Sequence, residues 1–442
     1  MKRIISLKEW VVNSHKLKLA REGGWLLVGQ VCTFMASLFS VRILTDYLDP
    51  NQYGDLALGL TIAMLINQLV FGGLGNGVAR FYVIAAEKKE LEGYFYASYK
   101  IITKALLIAL IVGVIFIFAV YGIYSNYWAI IFLFALLYSL LSGTTSIFSS
   151  IQNAARQRVA VVFCNGVDAW LKVLLALGCI VFISKSATSV LFGYIGSAIL
   201  ILYLQFYLFK KSFSIQFKNK KNSGVWSKEI LLYSKPFLLW GGITWLQLSS
   251  DRWALELFSS SAEVGLYVAL YQIGYAPVSL GLALLMSFIA PILYSMSGDG
   301  RNLARNSLVH GLGLKILTAL MGFSGVGFIV TYIFHEQIFG LFVNYRFLSS
   351  SYLLPWMMLS GAVFAGGQMM SLQKMANMNP GLLIKVKIIT ALLGCIFNFI
   401  GAYFYGMIGV VMAQLGFSFI YSLWMISITY KNEINFLLKK LS

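Results

Sequence analysis

Residues 24–44 read GWLLVGQVCTFMASLFSVRIL, an apolar run with a single charge, Arg42, near its end. About 20 mostly apolar residues are what a helix needs to cross the hydrocarbon core of a bilayer. The 23 residues before the run are polar and basic, and no small-residue cleavage site follows it. It therefore reads as a retained first membrane helix and not as a signal peptide.

Outward from this run the same pattern recurs along the whole chain. The first six predicted spans are Gly24–Leu44, Leu56–Val78, Ile101–Tyr121, Tyr127–Phe148, Ala160–Ile183 and Thr188–Phe209. The second six are Ser234–Leu257, Val264–Tyr294, Ser307–Phe334, Tyr352–Leu372, Leu382–Phe404 and Met407–Tyr430. Of the 442 residues 59% are hydrophobic and 11% are charged, with a mean hydropathy of +0.79. An ordinary soluble domain carries roughly 25% charge. Cys32, Cys164, Cys179 and Cys395 all lie in apolar stretches without CxxC spacing, so they suggest neither a disulfide framework nor a zinc site and read as core packing.

The net charge of +18 would point a soluble chain toward nucleic acid, but here its distribution points elsewhere. Lys and Arg concentrate in the cytoplasmic loops of membrane proteins. The first segment holds Lys2, Arg3, Lys8, Lys16, Lys18 and Arg21. The even loops hold Arg80, Lys88 and Lys89, then Arg156 and Arg158, then a central cluster from Lys210 to Lys228, then Arg301 and Arg305, then Lys374. The odd loops are short and nearly free of base. This alternation predicts an all-α chain of twelve transmembrane helices with both ends in the cytoplasm. The linker cluster doubles as a topology determinant that lies on anionic headgroups.

The linker also divides two halves that match weakly. Arg42 is followed by Gly54 in Tyr-Gly-Asp-Leu-Ala-Leu, and Arg252 by Gly265 in Val-Gly-Leu-Tyr-Val-Ala-Leu. The offset of 210 to 211 residues also carries Lys104 onto Lys315, and Ile151-Gln152 has a counterpart in Leu372-Gln373. Six spans per half give parallel repeats about an axis along the membrane normal. The expected organisation is two pseudo-symmetric six-helix lobes, residues 1–209 and 234–442, joined by a basic cytoplasmic linker at 210–233.

An ionisable residue inside a span costs at least about 2.5 to 3.5 kcal/mol to insert and is a functional candidate for that reason. Asp168 and Lys172 stand one turn apart on the fifth span, either as a self-neutralising pair or as a titratable coupling group beside an anion contact. Lys315 has no acid within a turn; it either contacts an anion or snorkels to the cytoplasmic face. Arg42 and Arg252, with Asp251 adjoining, fall on walls of one cavity that the repeat makes equivalent. Their guanidinium forks suit phosphate or carboxylate oxygens, and headgroup contact is the plainer alternative. The run from Gly72 to Gly77 ends the second span and Pro277 interrupts the eighth, as packing devices or hinges. Trp128, Trp226 and Trp356 fit an aromatic belt. His15, His310 and His335 lie in separate segments with no metal-ligand spacing, nucleophile elbow or P-loop, so the residues offer no enzyme chemistry.

The chain resembles Wzx-type O-antigen and polysaccharide repeat-unit flippases of the MATE-like multidrug, oligosaccharidyl-lipid and polysaccharide exporter superfamily. The resemblance rests on Val-Arg-Ile-Leu-Thr-Asp-Tyr-Leu-Asp-Pro-Asn-Gln-Tyr-Gly ending at Gly54, on Gly-Leu-Gly-Asn-Gly-Val-Ala-Arg ending at Arg80, and on Asp251-Arg252 followed by Glu-Val-Gly-Leu-Tyr. It implies a multi-pass protein of a bacterial inner membrane whose substrate is an undecaprenyl-pyrophosphate-linked oligosaccharide turned from inner to outer leaflet. Arg42, Arg80 and Arg252 would attract the pyrophosphate or acidic sugars, and Lys172 and Lys315 would extend the cationic lining. Membrane lipids would surround the route, with a polysaccharide polymerase and chain-length proteins as partners and no nucleic acid. No cofactor is implied, and H⁺, Na⁺ or no coupling ion all fit the residues. Two other classes are weighed against this one. A membrane polymerase or ligase would carry a large outer loop, which is lacking; a small-molecule drug or sugar exporter of another fold differs in moving no lipid.

Overall fold

A computed structural model of the chain describes residues 7–123, 125–213, 222–297, 303–376 and 381–430, and all regular structure in them is helical. In hydrocarbon each backbone N–H and C=O needs an internal partner, and helices supply one within the segment. The elements are α1 (Leu7–Tyr47), α2 (Pro50–Glu87), α3 (Leu91–Ile123), α4 (Asn126–Ala154), α5 (Arg158–Phe182) and α6 (Ala187–Ser212). There follow α7 (Ser223–Phe258), α8 (Ser261–Ser297), α9 (Leu303–Ile333), a short α10 (His335–Phe342), α11 (Leu354–Ala376) and α12 (Gly381–Thr429).

Ten helices among the described residues are long and apolar enough to cross a membrane. The expected seventh span lies in α7, which is not among the ten. Glu229, Lys235, Asp251, Arg252 and Glu256 load that helix with charge. The expected eleventh and twelfth spans are merged in α12, which turns at Gly406 (φ 54°, ψ −135°). Only glycine adopts that backbone readily. Glu263, in the first turn of α8, accepts the Met407 backbone N–H at 2.9 Å just past the turn.

Several local expectations change. The second helix begins at Pro50, six residues before the predicted boundary, because Asp49 accepts the Gln52 N–H at 2.8 Å and proline suits a first helical position. The glycines after Phe71 do not end it. The chain passes through a π-helical segment, Asn67–Gly72, and continues helical to Glu87. In α8 a second π segment, Tyr271–Tyr275, immediately precedes Ala276 and Pro277. Proline has no N–H to return to Ile273, and the ladder widens in front of it. Trp226 is not an interface belt residue. It is 2% exposed, donates to Glu90 at 3.1 Å and lies beneath the Lys88 ammonium. Lys218, Lys220, Lys221 and Arg301 fall outside the described residues.

The described chain resolves into two compact units. One holds α1 up to Ser37 and Ile62–Gly242; the other holds Leu38–Thr61 and the chain from Ile243. The core of the first gathers Phe71, Tyr94, Phe95, Ile147, Phe209 and Trp226, with edge-to-face contacts between Tyr94 and Trp226 and between Phe95 and Phe209. The core of the second gathers Leu293, Leu317, Met369, Met370, Tyr421 and Met425. Serine caps hold helix starts: Ser125, Ser186 and Ser260 each accept a backbone N–H three residues on.

Candidate functional site

The C-terminal part of α7, within the second unit, separates the fates of two neighbouring charges. Asp251 is 3% exposed and accepts the Tyr267 hydroxyl at 2.7 Å and the Arg252 backbone N–H at 2.8 Å. Neutral donors thus satisfy its carboxylate. The Arg252 guanidinium lies over the Tyr271 ring, 5.4 Å from its centroid, and reaches the Leu248 carbonyl only at 3.4 Å. Its Nε is buried with no hydrogen-bond partner. A cation over an aromatic face gains about 0.5 to 2 kcal/mol, and its charge is left available to an anion.

Tyr271 stacks on Tyr275 with centroids 4.7 Å apart, so Tyr267, Tyr271 and Tyr275 form a ladder along α8 that runs through the π segment. Wide helical turns of this kind are frequent at functional sites. Two tryptophans of α7 hold the neighbouring helix: Trp245 donates to the Thr61 carbonyl at 2.7 Å and Trp253 to the Thr61 hydroxyl at 2.9 Å.

Arg42, in the same unit, is engaged by the protein through its Nη1 and Nε. Its guanidinium donates to the carbonyls of Gly340 at 3.1 Å and Val343 at 2.6 Å, and its Nε pairs with Asp46 at 3.2 Å. Asn344 completes the clamp, bonding Thr45 and Asp46. The end of α1 is thereby tied to the segment that follows α10. Arg42 and Arg252 share no partner among these contacts. Lys315 is exposed on α9, without a hydrogen bond or ion pair from its ammonium among the described residues.

The first unit holds Asp168, Lys172 and Arg80. The Lys172 ammonium lies 2.6 Å from Asp168 and over the Tyr138 ring at 5.4 Å, and Ser197 donates to the other Asp168 oxygen at 2.9 Å. Asp168 lines a polar cavity of about 320 Å³ between α4, α5 and α6, with Ser142, Ser146, Ser149, Asn153 and Asn165 on its walls. Beyond it Gln205 donates to Ser149 and Gln152 at 2.8 and 2.9 Å. Arg80 is exposed on the last part of α2, away from the pair. Among the described residues no group of three or more His, Cys, Asp or Glu is placed to hold a metal.

Two of these features were missed from the sequence. The hydroxyl stripe of α4 was legible as polar residues recurring at helical spacing inside an apolar span. The tyrosine ladder had the same kind of signal at i, i+4 and i+8, but aromatic residues in a span first suggest packing.

The family model described as polysaccharide biosynthesis protein matches residues 19–297. An inward-facing multidrug resistance MATE family transporter of the MOP superfamily is 13% identical over 90% of this chain and 95% of its own, with a TM-score of 0.66. The lipid II flippase MurJ, in an inward closed conformation, is 13% identical over 93% of this chain and 87% of its own, also with a TM-score of 0.66. A MOP superfamily transporter from Pyrococcus furiosus, noted for the reverse polarity of its binding pocket, gives 13%, 93%, 95% and 0.58. At such identity these likenesses establish the fold alone. Among curated proteins nothing matches.

Proposed function

Because the chain belongs to the polysaccharide biosynthesis protein family and is a multi-pass membrane protein with the fold of MOP-superfamily transporters, we propose that it flips an undecaprenyl-pyrophosphate-linked oligosaccharide, such as an O-antigen repeat unit, from the inner to the outer leaflet of a bacterial inner membrane. The observation that carries this reading is Arg252. A guanidinium on α7, with its neighbouring carboxylate engaged by Tyr267 and its own Nε buried and unbonded, is an anion attractor. A lipid-linked pyrophosphate supplies the anion. A basic chain whose spans hold cations in excess of acids suits such cargo better than it suits a cationic drug.

The working parts follow the repeat: residues 1–209 and 234–442 act as alternating lobes joined by the basic linker at 210–233. Arg80 and Lys315 attract the headgroup as it approaches, Asp251 fixes Tyr267 next to the Tyr271 ring that Arg252 covers, and the Arg42 clamp sets the end of α1. Asp168 and Lys172 form an internal neutral pair whose carboxylate lines the polar cavity of the first unit, where proton or Na⁺ coupling would act. The test is reconstitution in vesicles with a lipid-linked oligosaccharide whose sugar is accessible to an added enzyme only from outside. Movement of the lipid-linked sugar supports the reading; export of free sugar or a drug cation with no lipid movement overturns it.

A further inference from the structure

A second hollow in the first unit, of about 920 Å³, lies between the middle of α1, the face of α5 and the end of α6. Its walls are apolar over most of their extent, with Val28 and Cys32 from α1, Phe163, Val167 and Leu174 from α5, and Leu208 from α6. The volume falls at the upper end of the roughly 300 to 1,000 Å³ of small-molecule sites. An apolar hollow of this kind excludes water, and at membrane depth the matter at hand to fill it is hydrocarbon.

One end is polar. Where α5 begins and α6 ends, the wall is Arg156, Gln157 and Ser212. Arg156 follows α4 at a φ of 60°, fixed by its N–H to the Asn153 carbonyl at 3.0 Å, and its side chain is exposed with no ion pair among the described residues. The Oε1 of Gln157 is buried with no partner. The basic loops mark this end as cytoplasmic. A long apolar groove ending in an unpaired cation and an unpaired amide is complementary to one molecule, a lipid with a phosphate head. Every wall comes from a single unit, so the groove does not need a second body to open or close it. That favours a resident lipid over the transported one.

We propose that this groove binds an anionic phospholipid of the cytoplasmic leaflet, one acyl chain lying along α5 and its phosphate on Arg156. The Gln157 amide takes a hydroxyl of the headgroup. A single base facing an anionic headgroup favours it roughly fivefold.

The experiment is native mass spectrometry of the full chain released from vesicles of equal parts phosphatidylglycerol and phosphatidylethanolamine. The expected result is retained phosphatidylglycerol in about fivefold preference, lost to parity in Arg156→Gln. Gly166 lines the groove, and a β-carbon there would meet only Cys32 Sγ at 3.9 Å. Gly166→Phe should therefore remove bound lipid of both kinds with thermal unfolding unchanged. If that variant fails to fold, Arg156→Gln decides alone. Equal retention of the two lipids by the unaltered chain, or preference undiminished in Arg156→Gln, overturns the proposal. So does displacement of phosphatidylglycerol by equimolar polyprenyl phosphate, which would make the groove part of the substrate path.

Discussion

Gly54 of α2 and Gly265 of α8 lie backbone to backbone. A β-carbon on Gly54 would overlap the Ser261 carbonyl oxygen, and one on Gly265 would overlap that of Pro50. Each oxygen belongs to the residue four positions before the other glycine, so the contact is reciprocal, as a two-fold relation between repeated hairpins requires. Substitution by valine forces backbone apart on either side. Gly54→Val and Gly265→Val should each cost more than the ~1 to 3 kcal/mol of ordinary overpacking, and by similar amounts. Thermal unfolding in detergent measures this; an unshifted midpoint for one of the two would contradict the reciprocity.

The two arginines that the repeat equates should behave differently. Arg42→Ala removes two carbonyl contacts and an ion pair. At about 1.5 to 3 kcal/mol for a hydrogen bond to a charged group, its main effect is a lower unfolding midpoint. Arg252→Ala removes one long hydrogen bond and a ring contact. It should leave the midpoint within about 1 kcal/mol of the parent and reduce transport at least tenfold, with Lys restoring part of it. Equal loss of stability in both variants would place Arg252 as a structural anchor.

The Asp168–Lys172 pair is tested by a double-mutant cycle. Removing one member of a half-buried pair leaves an uncompensated charge, so Asp168→Asn and Lys172→Met should each destabilise by up to about 3 to 5 kcal/mol. The double variant should recover most of the loss. If Asp168 also couples proton movement to export, the double variant will fold and yet lose any pH dependence of transport. Retained dependence assigns the pair to structure alone.

Gly406 should tolerate no side chain. Its φ of 54° with ψ of −135° costs other residues roughly 1 to 3 kcal/mol, and a β-carbon there would lie 2.8 Å from Glu263 Oε2. Gly406→Ala is expected to lower the unfolding midpoint more than Glu263→Gln, which keeps an acceptor for the Met407 N–H. The reverse order would show that the capping charge and not the backbone turn holds this corner.

The sequence made the helices legible because apolar run length is a one-dimensional property, and it separated the last two spans although α12 runs on through Gly406. The repeat was legible in Arg42, Gly54, Arg252 and Gly265, but what the glycines do was not, since reciprocity is a relation between distant backbones. Helix ends were harder: Asp49 and Pro50 read as loop when they are a cap and a first turn. Trp226 read as a belt residue because hydropathy says nothing of its partner Glu90. The inequality of Arg42 and Arg252 depends on carbonyls some 300 positions away, which no local pattern encodes.

If Arg252 attracts a lipid-linked pyrophosphate as proposed, its removal changes which lipid is moved, and one assay reads that directly. In reconstituted vesicles, flipping of an undecaprenyl-pyrophosphate-linked oligosaccharide is compared with flipping of the same sugar on an uncharged lipid, for the parent chain and Arg252→Ala. The parent should favour the pyrophosphate-linked lipid at least tenfold, equivalent to about 1.4 kcal/mol, and Arg252→Ala should lose most of that preference. Equal rates for the charged and uncharged lipids in the parent, or a preference untouched in Arg252→Ala, would contradict it.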